Sequence, residues 1–298
     1  MPRAEGRVPR HEPLFRQMAV VGLGLIGGSL ALAARAAKAV ETVLGVDRDP
    51  AHRAAALRLG IADRVAESLE PLADADLVVL AVPVAAIQSL LPAVAVAVTR
   101  DALVTDVGSV KRPVVAAGDA VLPDGRFVAG HPIAGRERSG PDAAHAELFA
   151  GATWIATPSA RTQAGALARV SALWRAAGAI CTCMDAGWHD EVFAAVSHLP
   201  HLVAYALMDA VLGMDRGEER LGFSAGGLRD FTRVAASSPE MWRDIFLTNR
   251  EPILRVLAAY REAVGQLEGA IRDRDGEALM RQLQRARTAR EAISHAMA

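Results

Sequence analysis

The sequence predicts an α/β fold, a Rossmann-type doubly wound parallel sheet, followed by an all-α second domain. Three observations carry that expectation. Short β-branched runs alternate with Ala/Leu/Arg helical stretches through the first half, the pattern of parallel strands joined by covering helices. A glycine-rich turn links the first strand to the first helix. After about residue 184 the strand signals stop, and one helical stretch follows another to the end.

In chain order, residues 1–16 read as a flexible tail, charged but without an apolar stretch of signal-peptide length. A domain over 17–184 then holds strands expected at 18–21, 42–46, 77–82, 102–105, 127–129 and 153–156. Helices are expected between them at 27–37, 50–59, 85–91 and 110–117. The domain over 185–298 reads as helices at 187–212, 228–236, 239–249, 252–274 and 276–297. Ser238 before Pro239 is a start signal, a hydroxyl cap followed by Pro at the first helical position. The fourth of these helices spaces Ile253, Val256, Leu257, Tyr260, Val264, Leu267 and Ile271 by three and four, an apolar stripe that suits pairing with a second copy. A homodimer through the helical domain is therefore expected.

Composition narrows the function classes. The chain has 298 residues, of which 52% are hydrophobic and 22% charged, and 33 basic residues nearly cancel 34 acidic ones to leave a formal charge of −1. That balance argues against disorder and against a nucleic-acid partner. Two cysteines, Cys181 and Cys183, make no disulfide framework and read as small packed residues. The uncharged stretch 77–99 contains Pro83 and Pro92 and divides into strand, turn and helix rather than a membrane span. A cytoplasmic location is the resulting expectation. The basic set is 31 Arg and only two Lys, Lys38 and Lys111, which makes the position of each Lys worth following.

The segment Gly22-Leu23-Gly24-Leu25-Ile26-Gly27 fits the dinucleotide pattern in its proper strand–turn–helix context. The first glycine permits the tight turn, the second lets backbone approach a pyrophosphate, and the third allows close helix-to-sheet packing. Twenty residues after Gly27, Asp47 ends the second strand, where a carboxylate accepts hydrogen bonds from ribose hydroxyls and repels a 2′-phosphate. NAD is thus preferred over NADP, although Arg48 next to it is able to receive that phosphate. Leu25 and Ile26 in the turn, and Ala81, Val82 and Pro83 after the third strand, complete the expected cofactor contacts.

Two further strand ends carry polar residues that packing does not require: Asp106-Val107-Gly108-Ser109-Val110-Lys111 and His131-Pro132-Ile133-Ala134-Gly135. Both belong beyond the carboxyl ends of the strands, on the cofactor side. Hydride removal from a carbinol needs a group to take the hydroxyl proton, so His131 is the candidate base, with Ser109 orienting substrate or imidazole. Lys111 is a weaker candidate for tuning Ser109 or attracting an anion. A metal is not expected, because His198 and His201 lack a convincing third ligand.

Together with Gly-Leu-Gly-Leu-Ile-Gly-Gly-Ser at 22–29, these segments, Ser-His-Leu-Pro-His at 197–201 and Met-Trp-Arg-Asp-Ile-Phe at 241–246 resemble the prephenate/arogenate dehydrogenase family. The resemblance implies NAD-dependent oxidative decarboxylation of prephenate to 4-hydroxyphenylpyruvate in tyrosine biosynthesis, with arogenate or dual specificity as the alternative. A non-catalytic NAD-sensing module is the more distant one. It also implies that Arg243 grips a substrate carboxylate and that His198, His201 and Ser197 contact the substrate. Arg243, His201 and Lys111 would then be the local cations that receive a small dianion.

Overall fold

The computed structural model describes residues 12–135 and 138–296. The tail expected over 1–16 falls partly outside the described residues, and its last two residues already lie in a strand. The first half runs β1 (Phe15–Val21), α1 (Leu25–Ala36), β2 (Val40–Val46), α2 (Pro50–Arg58), β3 (Arg64–Ala66), β4 (Leu77–Leu80), α3 (Val84–Ala97), β5 (Leu103–Asp106), α4 (Arg112–Val121), β6 (Phe127–Val128), β7 (Gly130–Pro132), β8 (Thr153–Ala156), α5 (Ala164–Ala176) and β9 (Ile180–Cys183). Then follow α6 (Ala186–Phe193), a π-helical segment (Ala194–His198), α7 (Leu199–Leu212), α8 (Gly217–Gly222), α9 (Gly226–Thr232), a 3₁₀ turn (Arg233–Ala236) and α10 (Pro239–Thr248). Two long helices, α11 (Arg250–Arg272) and α12 (Gly276–Ala296), end the chain.

Six parallel strands form the main sheet in the order β3-β2-β1-β4-β5-β6. The strand order reverses between β1 and β4, so their carboxyl ends open the crevice in which such sheets bind ligands. A second sheet, β7-β8-β9, is mixed, with β7 antiparallel to β8 and β9 parallel to it. The expected strand at 127–129 therefore breaks at Ala129, and its continuation changes sheets and carries His131.

Alternation along the strands divides the core in two. Met18 and Val20 of β1 face a cluster with α1 and α5, where Trp154 stacks on Trp174 at 5.6 Å between centroids. Ala19 and Val21 face the opposite cluster, filled by Ile87, Leu91 and Val94 of α3, Val114 of α4, and Trp242 and Ile245 of α10. That last pair has a consequence for the domain division. The first compact unit extends to Asn249, and the second is Arg250–Ala298, so the helices from 185 to 249 share the core of the sheet instead of standing apart from it.

Several local outcomes have plain physical causes. Helix α3 was expected to stop before Pro92 but continues to Ala97, because the loss of one backbone donor is outweighed by the buried Leu91 and Val94 on either side. Helix α5, absent from the sequence expectation, is an Ala-rich stretch whose Val170, Leu173 and Trp174 recur at helical spacing and are buried. Cys181 is half-buried, but Cys183 is exposed on β9, against the expectation that both are packed. Among the described helices, the continuous run 186–212 is long and apolar enough to cross a bilayer, yet its Asp190 and His198 are hydrogen-bonded within the first unit.

Candidate active site

The nucleotide turn is built almost wholly from backbone. Gly22 has φ +99° and donates to Val46 O at 2.8 Å, and a Cβ on it would stand 2.3 Å from Ala81 O. A Cβ on Gly27 would meet Gly22 O at 2.2 Å, whereas a Cβ on Gly24 meets nothing within 4 Å. Two glycines are thus forced by protein packing, and the third faces open space. That space lies at the N-terminus of α1, whose first turn has no side-chain cap, a place suited to an anionic group. Ala81 and Val82 line the same turn, Ala81 through the close approach of its carbonyl to Gly22, and Pro83 follows them as the cap of α3. At the end of β2, Asp47 accepts from the backbone N–H groups of Leu23 and Asp49, each at 2.9 Å, and lies 3.2 Å from His52 Nδ1. Arg48 beside it is exposed, and its carbonyl is held by Arg53.

The polar cluster lies beyond the ends of β5 and β6. Asp106 ends β5 and pairs with Lys111, both side chains 0% exposed. Lys111 Nζ also donates to Gly130 O at 2.9 Å, while Gly130 N–H donates to Asp106 Oδ1 at 3.1 Å. The ion pair therefore clamps the residue before His131. Burial lowers the Lys111 pKa, with Asp106 opposing that shift. His131 Nδ1 lies 3.0 Å from His189 Nε2, and His189 Nδ1 lies 2.8 Å from Asp190 Oδ1. Burial first, then the neighbouring His189 and Lys111, hold His131 well below the usual histidine range, so the ring is unprotonated at neutral pH.

Helices α6 and α7 supply the other wall through the π segment between them. Leu199 N–H bonds five residues back to Ala194 O, and Pro200 brings no N–H of its own, so the ladder widens where the histidines lie. Asn249 Nδ2 donates to Asp190 O at 2.8 Å and lies 3.0 Å from His198 Nδ1. An amide NH2 only donates, so the proton of neutral His198 is on Nε2, which is buried without a partner. Burial lowers the His198 pKa to about 4, making the ring a neutral donor. His201 Nδ1 donates to Ser197 O at 2.8 Å, and the ring stacks on Trp242 at 3.7 Å between centroids. Burial lowers the His201 pKa as well.

The two halves of the chain match two family models. Residues 30–182 match the prephenate dehydrogenase nucleotide-binding domain, and residues 185–285 match the prephenate dehydrogenase dimerization domain. The chain belongs to the prephenate dehydrogenase family. A cyclohexadienyl dehydrogenase of Zymomonas mobilis is 39% identical over 94% of this chain and 97% of its own length. A prephenate dehydrogenase of Bacillus subtilis is 36% identical over 92% of this chain and 75% of its own. Among solved structures, prephenate dehydrogenase from A. aeolicus in complex with hydroxyphenyl propionate and NAD+ superposes with TM-score 0.89 at 35% identity, covering 93% of this chain and 98% of that one. Synechocystis arogenate dehydrogenase gives TM-score 0.78 at 30% identity, covering 93% and 99%.

In this dehydrogenase His198 is among the groups that act on His131, His201 is hydrogen-bonded to Ser197, and both His198 and His201 pack on Trp242. The Arg243 guanidinium is 63% exposed and donates twice to Asp244 Oδ1, at 2.9 and 2.7 Å. It is Trp242, one residue earlier, that α10 turns toward the histidines. Lys111 departs from its expected role: buried against Asp106, it does not reach out to an anion. His201, expected as a cation, is with its lowered pKa a neutral group at pH 7, as is His198. Ser109 lies on the loop between β5 and α4, and no hydrogen bond joins it to His131 among the described residues. Sequence reasoning missed His189, Asp190 and Asn249. The available signal was a His-Asp pair one turn into a helix, shortly after the Asp185 cap whose side chain accepts from Trp188 N–H.

Proposed function

We propose that this dehydrogenase oxidises prephenate with NAD and releases CO2 to give 4-hydroxyphenylpyruvate. The observation that carries the proposal is His131, held unprotonated at the strand ends next to a backbone-built dinucleotide turn. Bound NAD supplies the hydride acceptor. Gly22, Gly24, Leu25, Ile26 and Gly27 cradle its pyrophosphate, Asp47 takes the ribose hydroxyls, and Ala81, Val82 and Pro83 lie along it, with Arg48 free to face solvent. The anchored Asp47 carboxylate supports NAD over NADP.

His131 accepts the proton of the ring 4-hydroxyl as hydride leaves C4; the ring carboxylate then leaves as CO2, its bonding electrons pass through the ring to the C4 oxygen, and that oxygen takes a proton back to complete the phenol. Ser109 orients the hydroxyl. Aromatisation makes the step downhill, so the protein's task is mainly to position the reactants and compensate charge. His198 offers a neutral N–H, and His201 with Ser197 lines the side-chain end of the substrate. The 39% identical cyclohexadienyl dehydrogenase supports a second reading, turnover of arogenate as well. Exposed Leu254, Val264, Ile271, Met280 and Leu283 on α11 and α12 support a homodimer.

Steady-state kinetics with prephenate and arogenate, each with NAD and NADP, tests the reading. Turnover of prephenate with NAD is expected. Turnover of neither substrate overturns it, and arogenate preference selects the second reading.

A further inference from the structure

The structure assigns His189 and Asp190 as positioning residues that set which nitrogen of His131 is the base. The inference rests on His131 being the proton acceptor and adds how it is made one. Asp190 is held by two backbone donors, Lys111 N–H to Oδ1 at 2.7 Å and Arg112 N–H to Oδ2 at 2.9 Å, at the N-terminus of α4. Its oxygens are thereby acceptors. His189 Nδ1, 2.8 Å from Oδ1, must donate, so Nε2 of neutral His189 carries the lone pair. His131 Nδ1, 3.0 Å from that lone pair, must in turn carry its own proton. The free lone pair of His131 is then on Nε2, the nitrogen not engaged by His189.

An isolated neutral imidazole protonates either nitrogen, and one of the two forms would have its Nε2 blocked by a proton. Here the chain of acceptors selects the open form before substrate arrives. It also suits the step that follows. When Nε2 takes the proton, Nδ1–H still points at His189 Nε2, and no hydrogen bond has to turn over. The positive charge then lies two links from the Asp190 carboxylate. The rings are fixed in place by Phe193, stacked on His189 at 4.5 Å between centroids and edge-on to His131 at 5.0 Å. The charged and titratable groups around His131 are His189 and Asp190 from α6, Lys111 and Asp106 at the β5–α4 loop, and His198 from the π segment.

The test uses the full chain and three variants: His189→Leu, which fills the space without an acceptor, His189→Gln, which restores an acceptor oxygen, and His131→Asn, which identifies the His131 signals. Ring ¹⁵N chemical shifts at neutral pH are expected to show His131 protonated on Nδ1 and bare on Nε2, with the Nε2-protonated form appearing in His189→Leu. With the substrate that the enzyme turns over, His189→Leu is expected to lose about a hundredfold in kcat, with dinucleotide affinity unchanged and His189→Gln recovering part of the loss. A wild-type His131 protonated on Nε2, or a His189→Leu kcat within twofold of wild type, overturns the inference. Because the ¹⁵N readout needs no turnover, failure of the proposed reaction and failure of this assignment are told apart.

Discussion

The nucleotide turn and the histidine cluster lie at the ends of the same sheet but are made in opposite ways. The turn is contiguous, Gly22 to Gly27 plus Asp47, and its geometry is that of backbone: a left-handed Gly22 and two positions with no room for a Cβ. The cluster draws side chains from β5, the loop before α4, β7, α6, the π segment and the end of α10, and its geometry is a hydrogen-bond network. The first is specified by what is absent, side-chain atoms where chain and ligand must approach. The second is specified by which donor meets which acceptor, so a single wrong proton disables it without disturbing the fold.

That contrast can be broken at defined points. His131→Asn removes the base without touching the Asp106–Lys111 clamp, and kcat is expected to fall about a thousandfold with KM within a few-fold. Equal, small losses in both constants would place the chemistry elsewhere. Lys111→Met strands the buried Asp106 carboxylate and should cost about 3–5 kcal/mol in denaturant unfolding, most of it recovered in the Lys111→Met/Asp106→Leu double variant. An additive double variant would deny the pair its clamping role.

Acid should unfold the histidine cluster first. His198 has its folded pKa lowered to about 4 against about 6.5 unfolded. Between those values the unfolded chain therefore binds the proton that the folded one refuses. The stability present above pH 6.5 is then lost as pH falls toward 4, by up to about 3 kcal/mol from this residue. His198→Asn should flatten the pH dependence of stability over that window, and an unchanged slope would count against it.

For the turn, Gly27→Ala is expected to destabilise the protein by about 1–3 kcal/mol through the clash with Gly22 O. Gly24→Ala should leave stability within about 0.5 kcal/mol and weaken dinucleotide binding, as calorimetry would show. If both variants behave alike, the open space at Gly24 is not the ligand's. The smallest effect is expected at Arg243→Ala, an exposed ion pair worth under about 1 kcal/mol. A large rise in KM for the substrate would instead restore Arg243 to the site.

Much of the molecule was legible in the order of its residues because the controlling physics is local. Glycine spacing, strand-then-helix periodicity and an acidic residue at the end of the second strand each act within a few turns of chain, so the Rossmann half, the helical second half and the nucleotide turn could be read directly. His131 was legible because a polar residue at a strand's carboxyl end has few structural reasons to be there. Pairings between distant segments were not. Nothing near Lys111 in the chain says that it is sealed against Asp106 while its backbone holds Asp190, 79 residues away. Nothing near Arg243 says that Trp242 takes the inward face of α10. Only the tertiary structure decided which side chains meet, and therefore which are charged, which are neutral and where each ring proton is placed. Burial and partner geometry set protonation, and both are properties of the folded chain.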